Sequence, residues 1–343
     1  MLSRNAERMY CLGRYVEHAE NVARIINVNS RISLEQKYFS DIDVWSPMIA
    51  ATRSEKLFGE LYSEVNEANV CEFLLLSEEN PDSVVSCIRS AREQARTMRD
   101  RISEEMWTHL NRMYLDFQNP PTVAQVLAEG SDAFNDRILL FCNTFHGLAD
   151  NTMVRAESWN FLRLGRFFQR ALMTLRIVEI KSHILLPETQ ESEVPLDLYQ
   201  WEALMRSVSG YEAYRRLFRA RIIPAQVVDL LVANERFPRS LHYCLKQIRS
   251  ALENLGHAAS PHEELNVAVD TFLGELHEGF IGKHILQNGL KKEITSLQHR
   301  ILSIDALLNC TYFDLQTVLS EDGLMRTIAM QQPQQQQAGF HHA

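Results

Sequence analysis

The sequence predicts an all-α protein: two pseudo-symmetric helical repeats from a tandem duplication, packed into one body, with a C-terminal helical pair and a disordered tail. Three observations carry this prediction. Chain breakers are scarce, with 13 Gly and 10 Pro in 343 residues, which favours long helices over the tight turns of a many-stranded sheet. Apolar residues recur at steps of three and four. A motif near the N-terminus returns about half a chain later.

The first helix follows Ser3, a residue suited to capping, with Glu7 in its first turns. Met9, Leu12, Val16, Ala19, Ala23 and Ile26 then form one apolar face. At 100° per residue, Glu7, Arg14, His18 and Asn21 fall together on the opposite side, flanked by Glu17 and Arg24. Further helices read at about 42–52, 54–62 and 66–76, and Pro81 opens an Arg- and Glu-rich one at about 82–112. Asn119-Pro120-Pro121 is a firm break, since proline removes a donor and restrains its predecessor. Helices follow at about 122–128, 132–150 and 155–185, the last ending before Pro187. The remainder read at about 195–208, 211–220, 224–234, 239–256, 262–283 and 290–320. No segment has the alternating, β-branched pattern of a strand. The polar, Gln-rich tail 331–343, with His341 and His342, is expected to be disordered.

The repeat is explicit. Leu12-Gly13-Arg14-Tyr15-Val16-Glu17-His18-Ala19 returns as Leu164-Gly165-Arg166-Phe167-Phe168-Gln169-Arg170-Ala171, an offset of 152. Trp45 answers Trp201, and residues 73–95 answer 230–252, matching Pro81 with Pro238, Ser83 with Ser240, Cys87 with Cys244 and Arg92 with Arg249. A drift of five residues in the offset is what loop insertions produce. The reading is a single domain over 1–325, with repeat one at about 1–120, repeat two at about 150–258 and C-terminal helices at about 262–320.

Composition excludes several classes of function. The net charge is −9, against a nucleic-acid-binding face that would need clustered Lys and Arg. No run approaches the roughly 20 apolar residues of a membrane span, and the N-terminus lacks the apolar core of a signal peptide. Six scattered cysteines without a CxxC pair read as reduced thiols of a cytoplasmic protein. Cys87 and Cys244 read as small core residues.

The candidate chemistry lies on the repeated helix. Arg14, Glu17 and Arg24 run along one side, joined by Glu20, and Arg166, Gln169 and Arg176 are their equivalents. One reading is a pair of planar donors that recognises a carboxylate or phosphate, with Glu17 orienting it. The favoured alternative is a buried Arg–Glu network that locks two helices in register. Gly13 and Gly165, costly mid-helix, point to a close helix–helix approach. A di-iron centre would need Glu-x-x-His pairs, and no histidine has Glu three residues before it. Glu105 with His109, Glu193 with Asp197, and the His277, His284 and Asp270 face do not assemble a ligand set. No Gly-x-Ser-x-Gly or phosphate loop is present. The expectation is therefore no metal, no cofactor and no catalytic residue. The run Arg89, Arg92, Arg96, Arg99, Arg101, interleaved by Glu93, Asp100 and Glu104, reads as a solvated, salt-bridged face.

Ala6-Glu7-Arg8-Met9-Tyr10-x-Leu12-Gly13-Arg14-Tyr15-Val16-Glu17-His18-Ala19-Glu20-Asn21 resembles the opening of the alpha-E domain family, bacterial all-helical proteins named for a Glu-Arg motif. Trp45 after Asp43, the Phe237-Pro238-Arg239-Ser240 segment and Leu164-Gly165-Arg166 also resemble it, and the likeness covers about residues 1–320. The chain departs from that family at His18 and at Gln169, where Arg and Glu are usual; Arg170 keeps the usual Arg. The resemblance implies company with circularly permuted ATP-grasp ligases and transglutaminase-like proteins. From it follows the leading expectation: a non-enzymatic partner or scaffold in a cytoplasmic peptide-ligation or peptide-tagging system. Such a protein would bind the ligase, its peptide substrate or both, with no nucleic acid and no membrane. The alternatives are an enzyme of amide-bond chemistry, with a site around Glu7, Arg8, Arg14, Glu17 and Arg24, and a purely structural helical oligomer.

Overall fold

The computed structural model describes residues 1–35, 43, 45–185, 195–219, 221–256, 260–276 and 289–313. The tail 331–343, the break at Pro187, and His277 and His284 lie outside the described residues. Every regular element among the described residues is helical.

Among the described residues, eight helices make the first half. α1 (Ser3–Glu35) is the long central rod. Three short helices follow: α2 (Ser46–Thr52), α3 (Glu55–Leu61) and α4 (Glu67–Cys71), which a π-turn extends over Glu72–Leu76. Next come α5 (Val84–Thr97), α6 (Glu104–Asp116), α7 (Val123–Glu129) and α8 (Ser131–Thr152). The chain then runs through α9 (Glu157–Leu185), α10 (Pro195–Ser207), α11 (Tyr211–Phe218), α12 (Pro224–Val232) and α13 (Leu241–Leu255). It closes with α14 (Ser260–Glu275) and α15 (Leu290–Tyr312).

One expected helix divides in two. The segment read as 82–112 breaks at Met98–Ser103, giving α5 and α6. Ser103 Oγ accepts a hydrogen bond from Met106 N, and Glu104 and Glu105 occupy the next turn, where acidic groups face the positive helix end. A strong N-terminal signal thus outweighs an unbroken apolar spacing.

The packing is consistent with internal repeats. α1 lies against α9, and α5 packs on α1 as α13 packs on α9. α6 and α8 complete the first set, and α14 and α15 take up the corresponding succession on α13 and α9. Ser83 and Ser240 cap α5 and α13 alike, each accepting from the backbone N–H three residues on. Trp45 and Trp201 are both buried, as are Cys87 and Cys244.

The axis of this arrangement is the crossing of α1 and α9. A Cβ at Gly13 would overlap Leu162 O and lie 3.0 Å from Arg166 N. A Cβ at Gly165 would overlap Tyr10 O and lie 3.1 Å from Arg14 N. Tyr10 and Leu162, like Arg14 and Arg166, are 152 apart, so the contact is reciprocal, and only glycine fits on either side. The apolar residues foreseen on α1 are all buried, and so are Glu17, His18, Glu20 and Asn21 on its polar side.

The Arg-rich surface of α5 and its following turn is salt-bridged. Arg96 Nε pairs with Glu93 at 2.9 Å and Arg101 Nε with Asp100 at 2.9 Å. Arg92 pairs with Glu93 and Arg89 with Glu78, while Arg92 and Arg99 also cover the Trp107 ring.

Candidate functional site

Glu17 is wholly buried at the centre, and it is held by the opposite half. Arg170, from α9, donates Nε to Glu17 Oε1 at 2.8 Å and Nη2 to Oε2 at 2.6 Å. This is the parallel fork in which guanidinium and carboxylate bind most strongly. Arg239, just before α13, reaches Glu17 Oε1 at 3.4 Å, donates to Asn21 Oδ1 at 2.8 Å and pairs with Glu20. Arg24 bridges Glu20 Oε1 at 2.7 Å and Ser209 Oγ at 2.6 Å. From α8, His146 Nε2 stands 3.5 Å from Glu17 Oε2 and 3.6 Å from Glu20 Oε2.

Burial alone would raise the Glu17 carboxyl, and Glu20 adds to that. Arg170, His146 and Arg239 outweigh both, holding it well below the usual carboxylate range. Glu20 is likewise burdened by burial and pulled far down, chiefly by Arg239 and His146. Burial pulls Arg239 down to about 10 against Glu20, which leaves it charged at neutral pH. Both carboxylates are therefore ionised and engaged.

The two departures from the alpha-E pattern meet each other. Gln169 Nε2 donates to His18 Nδ1 at 2.8 Å, and His18 Nε2 faces Asp82 O at 3.1 Å. Arg14 Nη2 donates to Gln169 Oε1 at 3.1 Å. In one half Glu17 meets Arg170; at the equivalent positions Gln169 meets His18. A charged pair on one side answers a neutral pair on the other. Burial pushes His18 down from 6.5, consistent with an imidazole that both accepts and donates as the neutral ring.

The remaining sequence candidates divide. Arg14 Nη1 pairs with Asp305 Oδ2 of α15 at 3.1 Å, and Tyr10 OH donates to Oδ1. Arg166 lies 3.6 Å from Glu17 Oε2 and 3.8 Å from Asp150 Oδ2. Arg176 is buried outside the cluster, pulled down to about 10 by burial and then by Arg53. Glu7 and Arg8 are half-buried near the start of α1, and Arg8 is about 13.5 Å of helix rise before Glu17. His146, Arg239 and Asp305 were not among the candidates, although Arg239 stood in the Phe237-Pro238-Arg239-Ser240 segment.

Two groups among the described residues have donor sets and spacing that suit a metal: Glu17, Glu20 and His146; and His18, Asp82 and Cys87. Both sets are already committed in part. In the first, guanidiniums hold Glu17 and Glu20 Oε1, leaving Glu20 Oε2 and His146 Nε2 without a hydrogen-bond partner, and a divalent cation there would stand close to Arg170 and Arg239. In the second, both His18 nitrogens are engaged, and burial holds the Cys87 thiol well above its ordinary value.

Beside the cluster, between α8, α9 and α13, opens a pocket of about 260 Å³. His146, Arg163, Arg166 and Arg170 line it, and Trp159 and Tyr243 form aromatic walls. Arg163 lies over the Trp159 ring, 4.9 Å from its centroid. No helix among the described residues is long and apolar enough to cross a membrane.

The chain is 24% identical over 308 residues to an uncharacterised protein of Mycobacterium bovis, and to the same extent to uncharacterised proteins of two Mycobacterium tuberculosis strains. These alignments cover 84% of this chain and 34% of each relative, so the chain spans about a third of their length. No solved structure matches it. The model of the Alpha-E family, described as a predicted alpha-helical domain with a conserved ER motif, matches residues 1–313. The match takes in every described helix and the whole Glu/Arg cluster, and the chain belongs to the Alpha-E family.

Proposed function

We propose that the chain is a non-enzymatic helical partner in a cytoplasmic peptide-ligation or peptide-tagging system, working with an ATP-grasp-type ligase and a transglutaminase-like protein. One observation carries the reading: the carboxylates of the Glu/Arg cluster are held ionised, far below the range of a useful base. A general base works best poised near the operating pH. Burial also pushes the thiols of Cys71 and Cys244 up to about 12, where they are poor nucleophiles at neutral pH. The mycobacterial relatives support a partner role, since in each a region like this one occupies about a third of a longer polypeptide.

We also read the two halves as copies of one ancestral unit. The offset of 152, the reciprocal glycine crossing and the paired serine caps support this. So does the common succession of α1, α5, α6, α8 and of α9, α13, α14, α15.

The test is co-purification with an ATP-grasp-type ligase encoded beside the gene, followed by ATP turnover with and without this chain. The expected result is a stable complex, altered ligase turnover, and no ATP hydrolysis, amide ligation or peptidase activity from the chain alone. Turnover by the chain alone that survives repurification and disappears in Glu7→Gln would make it an enzyme instead.

A further inference from the structure

The two halves differ in how they satisfy one arginine. Arg14 and Arg166 are equivalent at the offset of 152, and each stands near an aspartate, Asp305 on α15 or Asp150 on α8. These aspartates are 155 apart, within the drift of the repeat. Asp305 is buried, bonded to Arg14 at 3.1 Å and also to Tyr10. Asp150 is exposed, with a side chain 54% accessible, and its Oδ2 stands 3.8 Å from Arg166 Nη1. That is beyond hydrogen-bond distance. The loosened side is where the pocket opens.

Arg166 is left short of acceptors. Its Nε is buried without a hydrogen-bond partner, as is His146 Nε2. Glu17 Oε2, 3.6 Å away, already receives the 2.6 Å bond from Arg170. Around this point the guanidiniums of Arg24, Arg166, Arg170 and Arg239 face the two buried carboxylates of Glu17 and Glu20. Arg163 at the rim bonds only neutral groups, Gln247 and Ser250. Asp150 at the mouth offsets one charge and leaves an excess of cations, in a chain whose net charge is −9. Burial pulls the Arg166 guanidinium down, and repulsion from Arg170 adds to it. A cation in that position is stabilised by an incoming anion.

Size and symmetry narrow the ligand. Small-molecule pockets usually run from about 300 to 1,000 Å³, so about 260 Å³ suits a group of amino-acid size better than a nucleotide. At the equivalent place in the other half the molecule itself supplies a carboxylate, that of Asp305. We propose that the pocket between α8, α9 and α13 binds a carboxylate of amino-acid size, with Arg166 and Arg163 as its charged contacts and Trp159 and Tyr243 against its body. The carboxylate comes from a free acid or from a peptide C-terminus. The site goes beyond the partner reading and fails separately from it. A chain that joins the ligase yet binds no carboxylate sinks the pocket alone.

The experiment is isothermal titration calorimetry of the full chain at low salt. The probes are glutarate, trialanine with a free carboxyl, trialanine amide and inorganic phosphate. Arg166→Gln and Arg163→Gln are measured beside Arg101→Gln, whose exposed arginine lies away from the pocket. Glutarate or free trialanine should bind, the amide should not, and each pocket substitution should weaken binding at least tenfold while Arg101→Gln leaves it unchanged. Tighter free trialanine assigns a peptide terminus; tighter glutarate assigns a free acid. Arg166→Gln removes a repelled cation, so its melting temperature should equal or exceed that of the parent. Should it misfold, the half-buried Arg163 carries the test. Absent binding, binding equal to that of the amide, phosphate tighter than both acids, or affinity untouched by either pocket substitution overturns the proposal.

Discussion

Replacing Glu17 with glutamine changes little volume and removes one charge from the centre of the molecule. Oε1 stays an acceptor for Arg170 Nε at 2.8 Å, but the new amide sets N–H against the Arg170 Nη2 donor that now stands at 2.6 Å. Breaking a buried pair by neutralising one partner costs about 3–5 kcal/mol, and the two charge-assisted bonds, at about 1.5–3 kcal/mol each, are of the same order. Taking about 4 kcal/mol, with an unfolding entropy of about 2.1 cal/mol/K per residue over roughly 300 residues, the melting temperature falls by about 6 °C. Calorimetry and urea unfolding measure this directly. The structure also supplies the rescue, because Gln169 and His18 show the neutral pairing that the same geometry accepts at 2.8 Å. The double variant Glu17→Gln/Arg170→His should therefore recover about half of the loss, which makes the coupling about 2 kcal/mol plus the cost of Arg170→His alone. A single variant that melts within 1 °C of the parent, or a double variant whose losses simply add, refutes the account of Glu17 as the anchor of the cluster.

Arg14→Ala should destabilise the fold by about 3–5 kcal/mol, because it leaves Asp305 buried with only Tyr10; Asp305→Asn should cost comparably, and a double-mutant cycle should show the two losses to be far from additive. Gly165→Ala gains about 1 kcal/mol in helix propensity yet drives a Cβ into Tyr10 O, so urea unfolding should show a net loss, with Gly13→Ala behaving alike. Stability should fall on acidification in two stages. His18 has its pKa lowered by burial, so below 6.5 the unfolded chain takes up a proton that the folded one refuses. Glu17 and Glu20, held low in the fold, add their loss below about 4.5. Urea midpoints measured against pH should show both stages, and His18→Gln should flatten the first.

Much of this architecture was legible in the sequence. The apolar spacing of Met9 to Ile26 and the repeat of Leu-Gly-Arg located α1 and α9, and Gly13 and Gly165 announced their close approach. The break between α5 and α6 was hidden because no Gly or Pro marks residues 98–103; the signal was Ser103 followed by two acids. For the polar side of α1 the sequence pointed to an Arg–Glu network between helices, but not to the partners that bury it. Periodicity reports where apolar groups face, whereas Glu17, Glu20 and Asn21 are buried by pairing with groups on other helices. Those partners are distant in sequence: Arg239 is 222 residues from Glu17, and Asp305 is 291 from Arg14. Spacing along a chain cannot reveal such contacts, although the repeat came close by matching Glu17 with Gln169 and His18 with Arg170.

The glycine crossing of α1 and α9 is self-complementary: each rod presents to the other the surface it receives. In an assembly of separate identical chains this would be an isologous interface about a two-fold axis. A lone unit of that kind would leave a narrow groove that only its own copy fills. Two identical chains, however, must make every substitution twice. A single polypeptide is free of that constraint, and here one side holds the Glu17–Arg170 ion pair while the other holds the uncharged Gln169–His18 pair. The same freedom lets Asp305 seal one arginine while Asp150 stands back from the other. A symmetric dimer would carry two equal clefts or none, whereas a single chain is free to differ between its two sides.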